Sequence, residues 1–379
     1  MSPTGVQSRP LAVVLAACGI SLVPLAALGQ FSPGLQSLDT PTDPRSVVMG
    51  ESFVAVHSLS SIMYNPAGLA GGPGASFSFS RRNLNFANST DLFRYITFTG
   101  AIATPFADFG LFYSRFVQGE LTVTTASSPE GIGTVNLADY TFGLTAARNI
   151  TGGLDAGVTV KTYRFVEDVV SGRPPTHSSN APVLVDLGLI YSYKGELING
   201  SGNFTISGGA SLQNFGTDFK PLASASNGGA SSEVIQPVPR YLRCGIAYAM
   251  NVSPLTTGGL TPFSLLVTAE YRNFLNGYDE ASRKFWGFGG EVTLFEVITG
   301  RIGGLVQPFS NIYGDRGDPN IRIGLGLSLP MERFGVNTPL IFSLDYGVIP
   351  LNTELPFVSV TNSLLHGFSI GVRYINPLI

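Results

Sequence analysis

Along most of the chain, apolar residues alternate with small or polar ones at a period of two. Leu154, Ala156, Val158 and Val160 alternate with Asp155, Gly157, Thr159 and Lys161. Val183, Val185, Leu187, Leu189, Tyr191 and Tyr193 alternate with Asp186, Gly188 and Ser192. Ile321, Ile323, Leu325, Leu327 and Leu329 alternate with Arg322, Gly324, Gly326 and Ser328, and Phe368, Ile370, Val372 and Tyr374 with Ser369, Gly371 and Arg373. Successive side chains of a strand point to opposite faces, so each segment has one apolar face and one face carrying full charges at mid-strand. The pattern predicts 14 strands, near 75–86, 92–106, 108–118, 137–150, 153–166, 182–195, 202–214, 238–250, 262–275, 284–296, 298–308, 319–330, 338–349 and 365–376.

Which solvent meets each face decides the architecture. In a secreted β-sandwich the apolar faces of two sheets pack together and the charges meet water. In an outer-membrane barrel the apolar face meets lipid and the charges line the interior. The expected strands are long beside the roughly 5–6 residues usual in soluble sheets. Aromatics stand near strand ends, Tyr191 with Tyr193 and Phe285 with Trp286, as interfacial girdles require. Glycine recurs on the charged face, where a crowded lumen needs small side chains. The expected fold is therefore all-β, a 14-stranded antiparallel transmembrane β-barrel with an N-terminal plug segment. An even count brings both ends of the wall to the periplasmic side. The connections Val166 to Ala181 and Thr217 to Pro237 are then extracellular loops able to gate the pore or dock a partner.

Composition agrees with a membrane wall. Charged residues make up 12% of the 379, about half the roughly 25% of soluble domains. The formal net charge of −3, with no basic clusters, argues against a nucleic-acid partner. No segment after the leader reads as a transmembrane helix, because the longest charge-free run, Cys244 to Ala269, is broken by Pro254, Gly258, Gly259 and Pro262. The leader itself has Arg9, an apolar run from Leu11 to Leu28 and a small-x-small end, Ala27-Leu28-Gly29. That is a cleaved signal peptide over 1–29, with the mature chain starting at Gln30. Leu15-Ala16-Ala17-Cys18 offers a lipidated cysteine as the alternative, and a retained anchor is a third reading. Each exports the chain, and loss of the leader leaves Cys244 without an intrachain disulfide partner.

Residues 30–72 form the plug segment and 73–379 the barrel. From Thr42 to Gly72 the chain reads TDPRSVVMGESFVAVHSLSSIMYNPAGLAGG, with a helix-like Ser60 to Tyr64 and a turn at Asn65-Pro66-Ala67-Gly68-Leu69 closed by Gly71-Gly72. Asn65 before proline is held extended, and Gly68 permits a sharp reversal. A moderately apolar segment tethered to a barrel can fold inside it. This stretch resembles the N-terminal signature of the PorV/PorQ family, a branch of the FadL-type outer-membrane barrels. In that signature Met-Gly-x-x-Phe-Val-Ala-Val leads into Asn-Pro-Ala-Gly-Leu. Leu344-Asp345-Tyr346-Gly347 and the run from His366 to Tyr374 resemble the same family's closing strands. The resemblance implies a 14-stranded barrel with an N-terminal plug, and the plug motif maps to Met63, Tyr64, Asn65, Pro66, Ala67, Gly68 and Leu69. Two departures stand out. The family's acidic pair before the plug helix is replaced by His57-Ser58, which predicts a missing plug-to-wall salt bridge. Ile375 to Ile379 follow Tyr374, where barrels commonly end on an aromatic read by the insertion machinery.

Catalytic chemistry has little to stand on. His57, His177 and His366 fall on plug, loop and strand start, and no nucleophile elbow, metal-spaced histidine pair or phosphate loop is present. Neither metal nor cofactor is expected. Inward charges are expected to brace the lumen as a network of Lys161, Asp186, Arg243, Glu270, Arg272, Glu291, Arg301, Arg322, Asp345 and Arg373, joined by Asp155. The PorV/PorQ resemblance implies a non-enzymatic role in type IX protein secretion, engaging exported cargo domains or secretion-system components at the surface of a Gram-negative cell. The FadL resemblance implies instead a channel for hydrophobic ligands, with a lateral opening beside a kinked plug and an apolar tunnel around Met63 and Tyr64. The closing strands favour the first. Outer-membrane lipid and the insertion machinery are partners in either case.

Overall fold

In this computed structural model the described residues are 36–39, 43–72, 74–84, 93–125, 128–169, 177–178, 180–220, 238–254, 261–275, 284–306, 320–355 and 358–376. The leader and most of both long loops lie outside them.

Fourteen long strands follow one another round a closed antiparallel barrel. They are β1 Ala75–Leu84, β2 Phe93–Ala103, β3 Asp108–Thr125, β4 Ser128–Thr151, β5 Leu154–Val169, β6 Val183–Glu196 and β7 Gly202–Gly216. The second half comprises β8 Tyr241–Val252, β9 Phe263–Phe274, β10 Lys284–Leu294, β11 Ile298–Val306, β12 Asn320–Pro330, β13 Leu340–Leu355 and β14 Val358–Tyr374. Each strand pairs with its sequence neighbours, and β1 pairs with β14 in a register that sets Ala75 beside Tyr374. A two-residue bridge, His177–Ser178, adds to the edge of β5. Both ends of the wall thus meet on one rim, here the terminal rim. It faces the periplasm in a single-chain outer-membrane barrel, and the opposite rim is the outer one.

Alternation fixes which side chain meets which solvent. Asp186, Gly188 and Ile190 of β6 are buried inside, while Leu187 and Leu189 project outward. Outward Ile323, Leu325 and Ile370 remain 57, 64 and 50% exposed. A closed barrel with such an exterior is the sheet form that can cross a bilayer, because closure leaves no unpaired backbone edge in lipid. Tyr193, Phe204 and Tyr248 form an aromatic band near the terminal rim, with ring centroids 6.3 and 6.2 Å apart. Tyr271 and Trp286 form another pair further out, 4.8 Å apart. Phe285 does not join the girdle as expected. It neighbours Trp286 and must face the other way, and it lies buried beneath the Arg272 guanidinium, 4.5 Å from its ring centroid.

Expected and observed strands correspond one to one, but two hairpins are taller than expected. β3 continues past 118 to Thr125, β4 begins at Ser128 rather than 137 and runs 24 residues, and β13 and β14 meet across 356–357. A membrane strand needs only about 9–11 residues, so both ribbons rise beyond the outer rim. Outward positions should behave as lipid contacts. Ile323→Arg, between Ile302 and Val348, is expected to cost about 2–4 kcal/mol in denaturant-dependent refolding into vesicles.

Candidate functional site: a plugged lumen

The segment before β1 folds inside the barrel. Helix α1, Gln36–Asp39, is held on β4, where the Ser37 N–H donates to Asp139 Oδ1 at 2.9 Å and the Ser37 and Thr141 hydroxyls lie 2.8 Å apart. Helix α2, Pro44–Val48, starts because Asp43 accepts the Ser46 N–H at 3.0 Å and Pro44 presets the first turn. The chain then turns at Gly50, whose φ of +65° only glycine adopts without strain. Two 3₁₀ turns follow, Leu59–Met63 and Pro66–Leu69, close to the helix-like stretch and turn that the sequence indicates.

Wall glycines seat this segment. A Cβ on Gly324 or Gly347 would press on Val48, on Gly289 or Gly303 on Met49, and on Gly209 or Gly245 on Val54. At Gly157 and Gly188 it would run into Asn65, Pro66 or Ala67, and at Gly110 into Ile62 and Leu69. These glycines come from β3, β5 to β8 and β10 to β13, so the inward glycine face is a track shaped to the plug's backbone. Gly68 belongs to the same logic. Its φ is not left-handed as a reversal would need; instead a Cβ there would lie 2.6 Å from Val56 O. The left-handed residue is Gly71, at φ +71°.

Asn65 is the central polar clasp. Its side-chain oxygen accepts the Ala67 N–H at 3.0 Å, while its Nδ2 donates to Val54 O at 2.6 Å and reaches Leu189 O and Ala210 O of the wall at 3.0 and 3.3 Å. One amide therefore caps a turn, ties two parts of the plug and holds both to β6 and β7. Met63 accepts at its carbonyl from Gln213 Nε2 at 2.9 Å, and the Tyr64 hydroxyl donates to Ser46 Oγ at 3.0 Å under the Arg243 guanidinium.

The inward charges pair, though not only among themselves. Lys161 meets Asp186 at 2.6 Å, Arg243 meets Glu270 at 2.7 Å, and Arg301 meets both Glu291 and Asp345 at 2.6 Å. The remainder clamp the plug. Arg45 grips Glu291 with two hydrogen bonds of 2.7 and 2.8 Å, and Glu51 bridges Arg322 at 3.0 Å and Arg272 at 3.3 Å. Glu270 also accepts the Val54 N–H at 2.9 Å, and Arg322 donates to Val47 O at 2.8 Å. Burial pushes the Glu51 carboxyl up, but Arg322 and Arg272 outweigh it and hold it down at about 2. Arg373 makes no ion pair among the described residues and faces the cavity described next. The expected loss of a plug-to-wall salt bridge at His57 is corrected: its Nε2 lies 2.8 Å from Asp155 Oδ2, because imidazole can take the place of a charged partner there. Arg45 and Glu51 escaped the sequence reading, although charges inside an otherwise apolar plug were the available signal.

The plug divides the lumen in two. Toward the terminal rim lies a cavity of about 560 Å³ in which Ser76, Ser343, Ser369, Asp345, Arg301 and Arg373 stand among apolar Leu69, Ala101, Ile102 and Ile341. Toward the outer rim aromatic and aliphatic side chains gather inward, interleaved with buried Arg82 over Tyr95, Asp139 beside Phe116 and Arg272 over Phe274 and Phe285. Tyr163, Leu184, Phe219 and Val238 form one buried cluster, Tyr241, Phe274 and Phe285 a second, Tyr95 stacked on Phe116 a third, and Ile349 with Leu365 a fourth. Among the described residues the void at Met63 and Tyr64 is about 10 Å³, room for one water rather than a tunnel, and is bordered by Leu59 and by the hydroxyl-bearing residues Ser46, Ser60, Ser78, Ser80, Thr97 and Thr99. Among the described residues beside the plug, the β6–β7 ladder shifts register once, between Val185 and Leu187, and there the Asn214 N–H donates to Asp186 at 2.7 Å across the bulge. Of the histidines, His57 holds Asp155 and His366 touches Tyr346, in separate parts of the wall.

Fold and lumen together define a plugged transmembrane β-barrel. No sequence family and no curated protein matches the chain. Among solved structures it is similar to the toluene transporter TbuX of Ralstonia pickettii, at 12% identity and a TM-score of 0.45 over 88% of this chain and 98% of that one. It is also similar to a FadL homologue of Pseudomonas aeruginosa, at 11% and 0.43 over 92% and 100%. The toluene transporter TodX of Pseudomonas putida aligns at 9% and 0.43 over 89% and 98%.

Proposed function

We propose that this protein is an outer-membrane channel for hydrophobic molecules, closed by its N-terminal segment and without enzymatic activity of its own. The observation that carries the reading is the division of the lumen. Its outer half gathers clusters of aromatic and aliphatic side chains around a few buried charges, and an apolar solute lodged against those clusters would gain roughly 25 cal/mol per Å² of apolar surface withdrawn from water. Directly beneath it sits a plug held by discrete ion pairs and one asparagine clasp, a closure that can be released without unpairing the wall. A second reading, engagement of exported proteins at the cell surface as in type IX secretion, is favoured by one observation: the β3–β4 and β13–β14 ribbons stand beyond the bilayer, where a protein could grip them. Uptake of a radiolabelled aromatic hydrocarbon by cells lacking the protein and by complemented cells tests the first. Deletion should slow uptake at low external concentration, and Tyr163→Asp should reproduce the defect in a correctly inserted barrel. Unchanged uptake together with exported proteins held in the periplasm would replace the channel reading with the secretion one.

A further inference from the structure

The outer surface carries a feature that neither a channel nor a plug requires. Arg81 of β1, Arg115 of β3 and Arg164 of β5 all point away from the lumen, in the phase opposite to buried Arg82, Ser114 and Tyr163. Strand register sets them in one cross-strand row. Arg81 lies beside Ile96, Ile96 beside Arg115, Arg115 beside Tyr140 and Tyr140 beside Arg164. Arg94 projects one step further outward, across from Val117. None of the four makes an ion pair among the described residues, and no Asp or Glu with a described side chain projects from the exterior of β1 to β5. Arg115 stacks over the Tyr140 ring at 5.3 Å and leaves its Nε without a hydrogen-bond partner; the Arg81 Nε donates to Asn83 at 3.0 Å.

The position of this row identifies what neutralises it. The row lies just outward of the apolar rows, directly after Phe77 and Phe79 on β1 and after Phe109, Leu111 and Tyr113 on β3, and on β5 after Val158 and Val160 with Thr162 between. Cations at that level stand where the acyl chains of the outer leaflet give way to headgroups. Like charges gathered on one face with no acid between them repel, and their long stems can carry the guanidinium out to headgroup depth. Alternate strands are about 10 Å apart, so Arg81, Arg115 and Arg164 present three forks at that spacing. A guanidinium fork matches phosphate oxygens two at a time. Ile96 and Tyr140 between the forks offer apolar surface to the attached chains.

We propose that the exterior of β1 to β5 is a binding site for a phosphorylated outer-leaflet lipid, with Arg81, Arg115 and Arg164 holding its phosphates and Arg94 supporting them from the rim. The occupant is the lipid headgroup, not free phosphate or a protein. The site is independent of what the lumen carries.

The test uses the intact barrel in neutral detergent, with bisphosphorylated lipid A as probe, its dephosphorylated form and inorganic phosphate as comparisons, and native mass spectrometry as readout. Wild type should retain the phosphorylated lipid, and the Arg115→Gln/Arg164→Gln variant should need about tenfold more lipid for the same occupancy. Arg115→Lys/Arg164→Lys should recover part of the loss, and heat-modifiable migration should show every variant folded. Equal retention of dephosphorylated lipid, equal retention by the glutamine variant, or saturation by inorganic phosphate alone would each overturn the proposal. So would a soluble protein bound through the same arginines in the absence of lipid. Should the glutamine variant fail to insert, Arg81→Gln and Arg94→Gln, tested singly, carry the same expectation in smaller steps.

Discussion

Gly209→Val should unseat the plug while leaving the barrel standing. The Cβ added at Gly209 would lie 2.6 Å from the carbonyl carbon of Val54 and 2.8 Å from the Cα of Ala55, and both are backbone of the plug. Backbone cannot swing aside as the end of a side chain can, so either the plug or the wall must yield. The wall is the stiffer party, since Gly209 is paired on both sides, with Ile190 and Gly245, and valine suits a strand better than glycine. Overpacking of this kind costs about 1–3 kcal/mol, and it falls on the seating of the plug. In planar bilayers the variant should show persistent open-channel current where the parent protein is closed most of the time. Gly300→Val, where an added Cβ meets nothing within 4 Å, is the control and should behave as the parent. A closed Gly209→Val channel that still migrates as a folded barrel would mean the track is not what holds the segment in place.

How much of this could be seen in the chain depended on which physical signal each part obeys. Strand identity and facing follow from period-two alternation alone, and Arg322 beside Ile323, or Asp186 beside Leu187, settles which face is lumen without any partner being known. The tall ribbons hid for a local reason. Gly119 and, in the first part of β4, Pro129, Gly131 and Gly133 read as turn residues, whereas the β-branched run Thr122-Val123-Thr124-Thr125 was the competing sign of a continued strand. Long-range pairing was the least visible layer. Inward Arg272 and Arg322 show that they need an anion, but nothing in their strands says that it comes from Glu51, 221 and 271 positions away. The glycines carry the same lesson. Alternation marks Gly157, Gly188 and Gly209 as inward, yet only the folded plug shows that each is small because a particular backbone atom lies against it.

Glu51→Gln should have the largest effect of any single change in the plug. Glu51 adopts φ +58°, a left-handed conformation that a side-chain-bearing residue holds only at some cost. That conformation persists because its two carboxylate oxygens reach Arg322 and Arg272 at once, while the Ser46 carbonyl accepts its N–H at 3.0 Å. Glutamine keeps the shape but removes the charge, leaving two buried guanidinium groups close to Arg243 without their shared anion. Uncovering buried charge in this way costs about 3–5 kcal/mol. The wall ladders do not depend on Glu51, so the loss should appear as release of the segment rather than unfolding. A cysteine introduced at fully buried Ser61 in a Cys244→Ser background should then react with a dipyridyl disulfide, a reagent that labels thiols in acid as well as at neutral pH, many times faster in the variant. Glu51→Gly, which relieves the backbone but also lacks the anion, should release the plug as well, which separates charge from strain. Acid should mimic the variant. The carboxyl sits at about 2 in the folded protein against an ordinary value of 4.5, so its contribution is fully present above pH 4.5 and is lost as the pH falls from there toward 2. In the parent protein the Ser61→Cys probe should therefore stay protected at neutral pH and become reactive in that acid window, and in Glu51→Gln the window should vanish. A labelling rate that rose equally in both proteins on acidification would place the acid-sensitive contact elsewhere in the plug.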